Sequence, residues 1–269
     1  MATSKTTPTQ GWHGWDAYAP FYDWENRRTV GRRDVRFWTD LAQQANGTVL
    51  ELGCGTGRLS VPVARVAHRF VGIDRSEPML RRLRTRLRRV RLAVAAEIVR
   101  ADIRALPFRK RWRCRLVMAP YGMLQSLLSD ADLDAALAAA ARVLSRGGML
   151  GIDLVPDLPR WQEYQRHVSL EGPMRGGRRV MLIESVRQDR RRRLTIFNRW
   201  NASRAKNGVP TTTRSSPVAD FVTILFVALT GYACSSSKQQ AEPRGDTSSP
   251  TSVEESVVSL SDCDTRSLW

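Results

Sequence analysis

The chain has 269 residues, which is enough for one α/β domain of good size with an appendage, so core size does not limit folding. Its formal net charge is +17, and nearly all of the positive charge is arginine scattered along the chain. Such a charge indicates nucleic acid or an acidic membrane as a partner. The scattered distribution favours a coding bias instead, so nucleic-acid binding is kept as the alternative.

The four cysteines stand at positions 54, 114, 234 and 263 and form no C-x-x-C pair, which argues against a zinc site and a disulfide framework. No cluster of histidine, cysteine and acidic residues has the spacing of metal ligands, so we expect no metal. Residues 1–11 are rich in serine and threonine and lack the apolar core of a secretory signal. We therefore expect a disordered tail and a cytoplasmic protein.

The next segment, residues 12–46, is dense in aromatic side chains. This composition predicts amphipathic helices whose aromatic faces pack on the domain. The aromatic residues are Trp12, Trp15, Tyr18, Phe21, Tyr22, Trp24, Phe37 and Trp38.

Residues 49–58 have the sequence VLELGCGTGR, an apolar run that breaks into three alternating glycines. Apolar residues then recur at helical spacing to about His68, so the pattern predicts a strand, a tight turn and a helix. Glycine allows positive φ in such a turn and lets a ligand lie against the amides of the helix N-terminus. The dinucleotide-binding fingerprint needs a third glycine where this chain has Arg58, which counts against a nicotinamide dehydrogenase.

Residues 70–74 predict a second strand that ends in Asp74, about 20 residues beyond the first motif. A carboxylate at this edge of a doubly wound sheet suits the ribose hydroxyls of a nucleoside. The alternative role for Asp74 is to cap the next helix, although Ser76 offers another cap. The arginine-rich helix that follows, 81–92, is interpreted as a solvated face, with a phosphate-rich partner as the alternative.

The rest of the core continues the alternation of strands and helices. A third strand with its loop is predicted at 96–108, a fourth strand at 115–119, a helix at 130–144 and a fifth strand at 149–155. Two further segments, at 180–186 and 194–197, are interpreted as an antiparallel hairpin across a charged turn. We therefore predict an α/β fold with a doubly wound sheet and an inserted hairpin.

Three motifs, in this order and spacing, resemble those of class I S-adenosylmethionine-dependent methyltransferases of the bacterial small-molecule type, over roughly residues 15–198. They are E-x-G-x-G-x-G at 51–57, Asp74 after the second strand, and Asp102 followed by LPF at 106–108. The resemblance implies a Rossmann-like sheet, S-adenosylmethionine as the cofactor and methyl transfer as the activity.

The resemblance also implies roles for single residues. Glu51 orients the methionine end of the cofactor, the glycines make room for its ribose and methionine chain, Asp102 accepts the adenine amino group, and the backbone of Ile103 meets the ring. For Met79 a place in the core is an equal alternative. The implied cofactor-binding residues are Glu51, Gly53, Cys54, Gly55, Gly57, Asp74, Arg75, Met79, Asp102, Ile103, Ala119 and Tyr22.

On the acceptor side, the resemblance implies that the N-terminal segment forms a lid over cofactor and substrate and that the hairpin walls the acceptor pocket. A solvated strand face is the alternative for Glu184. A general base is needed only for a hydroxyl or a carbon acid, and the candidates are Tyr121, His13 and His167. The residues expected to contact the acceptor are Tyr18, Tyr121, Gln125 and Glu184.

After residue 198 arginine becomes sparse, serine and threonine become abundant, and the composition after position 234 is that of a disordered chain. We find no clear sequence for the helix and antiparallel hairpin that the family places here. The apolar run 221–229 is shorter than the roughly 20 residues that cross a bilayer; it is interpreted as a buried strand, a membrane-surface segment or an exposed, aggregation-prone strand.

We hypothesise that the chain from residue 199 onwards comes from a different reading frame or an unrelated fusion, because the composition shifts abruptly there. The coding DNA tests this directly. Absence of an arginine-rich helix and hairpin from both other frames would exclude a frameshift.

The predicted organisation is a tail at 1–11, a helical lid at 12–46, a cofactor-binding core at 47–158, a substrate-side hairpin at 159–200 and a low-complexity segment at 201–269. The predicted function is methyl transfer to a small-molecule acceptor. The alternatives are an RNA or protein methyltransferase that uses the basic surface, and a non-catalytic cofactor-binding domain whose C-terminal elements are replaced.

Overall fold

The computed structural model describes residues 11–30, 32, 34–92, 96–154, 162–174, 178–189, 191, 194–204, 210–215 and 223–227. The predictions for residues 1–10 and for the chain after residue 227 lie outside the described residues.

The described residues contain helices and strands in the alternation that the sequence predicts. The helices are α1 (Trp15–Thr29), α2 (Val35–Ala45), α3 (Ser60–Ala64), α4 (Glu77–Leu87) and α5 (Asp130–Val143), with a short 3-10 helix at Met123–Ser126. The strands are β1 (Thr48–Leu52), β2 (Arg69–Asp74), β3 (Ala96–Arg100), β4 (Cys114–Ala119), β5 (Leu144–Leu154), β6 (Tyr164–Pro173), β7 (Arg179–Asp189), β8 (Leu194–Arg204), β9 (Pro210–Ser215) and β10 (Thr223–Val227).

Six strands form one sheet in the order β10-β5-β4-β1-β2-β3. The first five strands of the chain are parallel to one another, and β10 pairs antiparallel with β5 at one edge. The strand order reverses direction between β1 and β4, so a crevice opens where the connections after these strands leave to opposite sides. This crevice positions the site.

Both faces of this sheet are covered by apolar side chains. One face packs Leu50, Ile73 and Val117 against α5, and the other packs Phe70 and Met118 against α2 and α3. Burial on both faces explains why these strands are continuous apolar runs and not alternating ones. The predicted doubly wound α/β fold is confirmed.

The predicted hairpin is part of a second sheet, in which four antiparallel strands have the order β6-β7-β8-β9. Helix α1 packs on this sheet through Trp24, which is buried against Val180 and Leu182. The indole N–H of Trp24 donates a hydrogen bond to the carbonyl of Pro173 at 3.0 Å. The N-terminal segment and the inserted strands are therefore joined into one layer.

Four elements differ from the sequence prediction. The arginine-rich helix predicted at 81–92 is α4, which begins at Glu77, after the Ser76 cap, and ends at Leu87. Helix α3 ends at Ala64 and not near His68, because the amides of Arg65 and Val66 bond three residues back and tighten the last turn. Strand β5 begins directly after α5, with a bulge opposite Cys114 and Leu116, and not at residue 149. The apolar run at 221–229 contains β10, so its described residues form a strand at one edge of the first sheet, which agrees with both strand interpretations and not with the membrane-surface segment.

Among the helices of the described residues, none is long and apolar enough to cross a membrane.

Candidate active site

A cavity of about 380 Å³ lies at the carboxyl ends of β1, β2 and β4. The turn that holds Gly53, Gly55 and Gly57, here called the glycine turn, forms the floor of the cavity. The lining residues between positions 12 and 22, before and within α1, form its roof. The cavity is lined by Trp12, His13, Gly14, Trp15, Asp16, Tyr22, Glu51, Gly53, Cys54, Gly55, Arg58, Leu59, Asp74, Arg75, Ser76, Met79, Arg100, Pro120, Tyr121, Gly122, Met123 and Ser126.

The three glycines of the turn all have positive φ, at 66°, 51° and 85° for Gly53, Gly55 and Gly57. They differ in what a side chain would meet. A Cβ on Gly53 would lie 2.4 Å from Met123, and one on Gly57 would lie 2.2 Å from Leu83. A Cβ on Gly55 would meet only the carbonyl oxygen of Gly53, at 3.9 Å, so it would enter open space in the cavity. Gly55 is thus where a ligand has room to approach the backbone.

Asp74 ends β2 and is fixed by two backbone amides. Gly55 donates a hydrogen bond to one carboxylate oxygen and Ser76 donates one to the other, each at 2.8 Å. Burial raises the pKa of Asp74, and these amides partly offset the rise. The capping role belongs to Ser76, whose hydroxyl accepts the amide of Met79. Asp74 therefore joins the glycine turn to the end of β2.

Glu51 lies beneath the turn and is only 3% exposed. Its carboxylate accepts a hydrogen bond of 2.6 Å from the hydroxyl of Ser60, in α3. Burial raises the pKa of Glu51 to about 8, and the bond from Ser60 and the charge of Arg58 oppose this rise. The protonated carboxyl is therefore the favoured form below that pH.

Asp102 and Ile103 line a smaller cavity, of about 70 Å³, that adjoins the first. Arg104 donates a hydrogen bond of 2.7 Å to the Asp102 carboxylate, and Arg75 lies 3.4 Å from it. The bond from Arg104 lowers the pKa of Asp102, so this carboxylate is ionised. The two cavities share Trp12, Gly53, Asp74, Arg75 and Met123.

A charged network that sequence reasoning missed lies beside the glycine turn. Arg58 donates two hydrogen bonds of 2.6 Å to Asp34, and its guanidinium carbon is 5.2 Å from the ring centroid of Tyr121. Tyr121 has φ of 63°, unusual for a residue other than glycine. The signal that could have found this network is the position of Arg58 directly after the last glycine of the turn.

Asp153 lies near this network and is fully buried close to the end of β5. Neither of its carboxylate oxygens has a hydrogen-bond partner in the described part of the chain. Burial raises the pKa of Asp153 to about 6; the nearby amide of Tyr121 offsets part of the rise without meeting the geometry of a hydrogen bond. An acid near the carboxyl end of a predicted strand was the signal that could have found it.

The roof is anchored to both sheets. In α1, Asp23 accepts a hydrogen bond of 2.6 Å from Thr56 in the glycine turn. Further along α1, Glu25 faces Arg199 of β8, 3.6 Å away, and Arg199 donates to Glu184 of β7 at 2.8 Å. These contacts place Trp15 and Tyr22 over the cavity.

Several predicted site residues do not line either cavity. Tyr18 is buried where α1 packs on the second sheet. Gln125 is exposed outside the cavity, and His167 is exposed on β6. Glu184 is buried against Arg199, so the solvated strand face that was its alternative is not observed. Gly57 and Ala119 are buried beneath the site. The roles of these residues in binding stay predictions.

Residues 49–148 match the family model described as Methyltransferase domain. This is the stretch that holds Glu51, the glycine turn, Asp74 and Asp102. These residues form a methyltransferase domain of the class I, S-adenosylmethionine-dependent type.

Solved structures share the fold of this methyltransferase across most of both chains. The CcbJ methyltransferase from Streptomyces caelestis is 22% identical, with a TM-score of 0.60 over 77% of this chain and 82% of that one. CalS10 from Micromonospora echinaspora, described as an amino pentose methyltransferase, is 20% identical, with a TM-score of 0.56 over 73% and 80%.

KedS8 from a Streptoalloteichus species, described as a sugar N-methyltransferase, is 18% identical, with a TM-score of 0.57 over 81% and 85%. No curated protein sequence matches the chain. At these identities the solved structures bear on the fold of this methyltransferase and not on its acceptor.

Proposed function

We propose that this methyltransferase transfers a methyl group from S-adenosylmethionine to an oxygen, nitrogen or carbon atom of a small-molecule acceptor. The observation that carries the proposal is the enclosure of the site: one cavity of about 380 Å³ joins the glycine turn and Asp74 to an aromatic roof. Sites for small molecules have volumes of roughly 300–1,000 Å³.

The residues of the cavity fit the family's cofactor. Gly55 leaves the space that a Cβ would fill, and each oxygen of Asp74 keeps acceptor capacity for a ribose hydroxyl after binding one amide. Glu51 offers a buried carboxyl to the methionine ammonium group, and Asp102 offers an ionised carboxylate to the adenine amino group. When bound, S-adenosylmethionine supplies a methyl group already activated on a sulfonium.

The chain then has to hold the acceptor in line with the methyl group and exclude water. Trp15 and Tyr22 on the roof and Tyr121 on the floor enclose the space where both would meet. Helix α1 is held to the glycine turn through Asp23 and to the second sheet through Trp24 and Glu25. A folded protein or a duplex would have to displace this helix, whereas a small molecule would not.

Tyr121 and His13 are the candidate bases that line the cavity, and of the two we propose Tyr121. Its ring is fixed by the guanidinium of Arg58, which Asp34 holds by two hydrogen bonds. Its backbone is in the left-handed region, and strained residues of this kind concentrate at functional sites.

The alternative of an RNA acceptor rests on the arginine-rich segment 81–92, which begins within α4 and continues past its end; Arg81, Arg88 and Arg89 are among its exposed arginines. Ser76, at the other end of this helix, lines the cavity. An 11-residue helix is about 16 Å long, so the two ends are well separated. None of the arginines in 81–92 lines the cavity, so this charge does not favour the alternative.

The test is formation of S-adenosylhomocysteine by the full chain with a panel of acceptors. Because CalS10 and KedS8 are described as acting on sugars, amino sugars come first, followed by other amines and hydroxyl compounds, with structured RNA as the comparison. We expect turnover with a small molecule that changes little with salt. Turnover with RNA alone, falling steeply as salt rises, would contradict the proposal.

A further inference from the structure

We propose that Trp12 is a positioning residue for the cofactor and forms the wall against which its adenine ring lies. This proposal rests on the proposed function, because it assigns one end of the same cofactor site. It goes beyond the residues that the family motifs indicate, since Trp12 lies outside all three of them.

Trp12 precedes α1 and lines both cavities. Among the described residues before β1, it is the one that reaches the smaller cavity. The other walls of that cavity supply an apolar surface from Ile103, Met123 and Leu127 and an ionised acceptor from Asp102. A flat aromatic ring that carries an exocyclic amino group matches this set of neighbours.

Two guanidinium groups hold the indole. The guanidinium carbons of Arg75 and Arg104 lie 4.3 Å and 4.7 Å from the ring centroid of Trp12, within the range of cation–π contacts. Both arginines also pair with Asp102. Asp102, which is predicted to receive the adenine amino group, therefore holds the two arginines that fix the indole.

The chain just before Trp12 is fixed as well. Gly11 lies so close to the backbone of Ser126 that a Cβ would be 2.2 Å from that carbonyl oxygen. Ser126 ends the short 3-10 helix after β4 and itself lines the larger cavity. Gly11 and the arginine pair thus hold Trp12 from two sides, and the ring is placed before any ligand arrives.

The experiment is calorimetric titration of the full chain with two ligands, S-adenosylhomocysteine and free adenosine. Loss of stacking between an aromatic ring and a base weakens binding by about tenfold or more. We expect Trp12→Leu to weaken both ligands by this factor, and Trp12→Phe, which keeps a ring, to stay within about threefold of the wild type. If Trp12→Leu weakens both ligands by the same factor, Trp12 contacts the adenosine part of the ligand, which both contain.

Trp112→Leu is the matched control, because Trp112 stacks on Phe108 in the loop before β4 and lines neither cavity. Its affinity for both ligands should equal that of the wild type, even where its melting temperature falls. Melting curves of all variants separate loss of folding from loss of contact.

Three outcomes would overturn the proposal. Wild-type affinity of Trp12→Leu for both ligands would show that the ring is not a wall of the site. Weaker binding of S-adenosylhomocysteine with unchanged adenosine affinity would place Trp12 at the other end of the ligand. Failure of the folded wild type to bind S-adenosylhomocysteine would instead remove the proposed function itself.

Discussion

Two buried carboxylic acids, Glu51 and Asp153, set the electrostatics of the site at the scale of single residues. Glu51 is bonded to a neutral hydroxyl, from Ser60, and the carboxyl group of Asp153 has no hydrogen-bond partner among the described residues. Burial without a directly bonded cation favours the protonated form, so the pKa of each group is raised, to about 8 for Glu51 and about 6 for Asp153. Both acids therefore titrate at a pH where carboxylates are ordinarily ionised.

The raised pKa of Glu51 predicts a pH dependence of stability. Between its ordinary value of 4.5 and about 8, the folded chain keeps a proton that the unfolded chain has released. The free energy of unfolding therefore falls as the pH rises through this window. In Glu51→Gln this contribution disappears. Denaturant titrations at about pH 5 and about pH 9 should therefore show that the free energy of unfolding falls less in Glu51→Gln than in the wild type, by more than about 1 kcal/mol. Equal falls in both proteins would contradict the pKa assignment.

At the scale of elements, the glycine turn separates a ligand-facing position from a packed one. Gly55→Ala adds a methyl group in open space, with a penalty of about 1–2 kcal/mol for positive φ. Gly57→Ala has the same penalty and in addition collides with Leu83. We predict that Gly55→Ala weakens S-adenosylhomocysteine binding at least tenfold, about 1.4 kcal/mol, while Gly57→Ala is the less stable protein.

Calorimetric titration and thermal melting of the two variants, side by side, check this prediction. Wild-type affinity in Gly55→Ala would show that no ligand approaches the backbone there. Equal melting temperatures in the two variants would show that Leu83 moves aside without loss.

The contact between α1 and the second sheet is the other element that the site depends on. Arg199 lies between Glu25 and Glu184, and the three residues are 4%, 6% and 8% exposed. Arg199→Met leaves two buried carboxylates without this cation, and the expected loss of stability is about 3–5 kcal/mol. Because the same contact holds the roof in place, affinity for S-adenosylhomocysteine should also fall.

Arg179→Met serves as the matched control, since Arg179 pairs with Glu171 at 3.0 Å on the exposed surface of the same sheet. Exposed pairs contribute less than about 1 kcal/mol. Denaturant titration of both variants tests the difference, and similar losses would mean that the buried triad does not hold α1 to the sheet.

For the whole molecule, local sequence patterns were enough to predict the parallel sheet and the edge where the cavities lie. Buried apolar runs, separated by helices with clear spacing, predicted strands that lie within a residue or two of β1 to β4, whereas β5 begins five residues earlier than predicted. The approach of Asp74 to Gly55 follows from the same patterns, because parallel strands β1 and β2 end at one edge. Cofactor contacts of single residues stay predictions until a ligand is measured.

The remaining features depend on contacts between distant segments. No local pattern joins Glu25 to Arg199 or brings Asp34 to Arg58, because each pair forms only when separate elements pack. The fifth strand was predicted, but its pattern alone does not place Asp153 near Arg58. Strand β10 was hidden for another reason: its short apolar run lies in a segment of unusual composition, and only pairing with β5 identifies it as a strand.

The most direct measurement of the central claim is calorimetric titration of the purified full chain with S-adenosylhomocysteine, beside Asp74→Asn. The account predicts micromolar binding by the wild type and binding at least roughly tenfold weaker in the variant, because one carboxylate oxygen that accepts a ribose hydroxyl becomes a donor. Melting curves establish that both proteins are folded. No binding by the folded wild type, or equal binding by Asp74→Asn, would contradict the assignment of this cavity as the cofactor site.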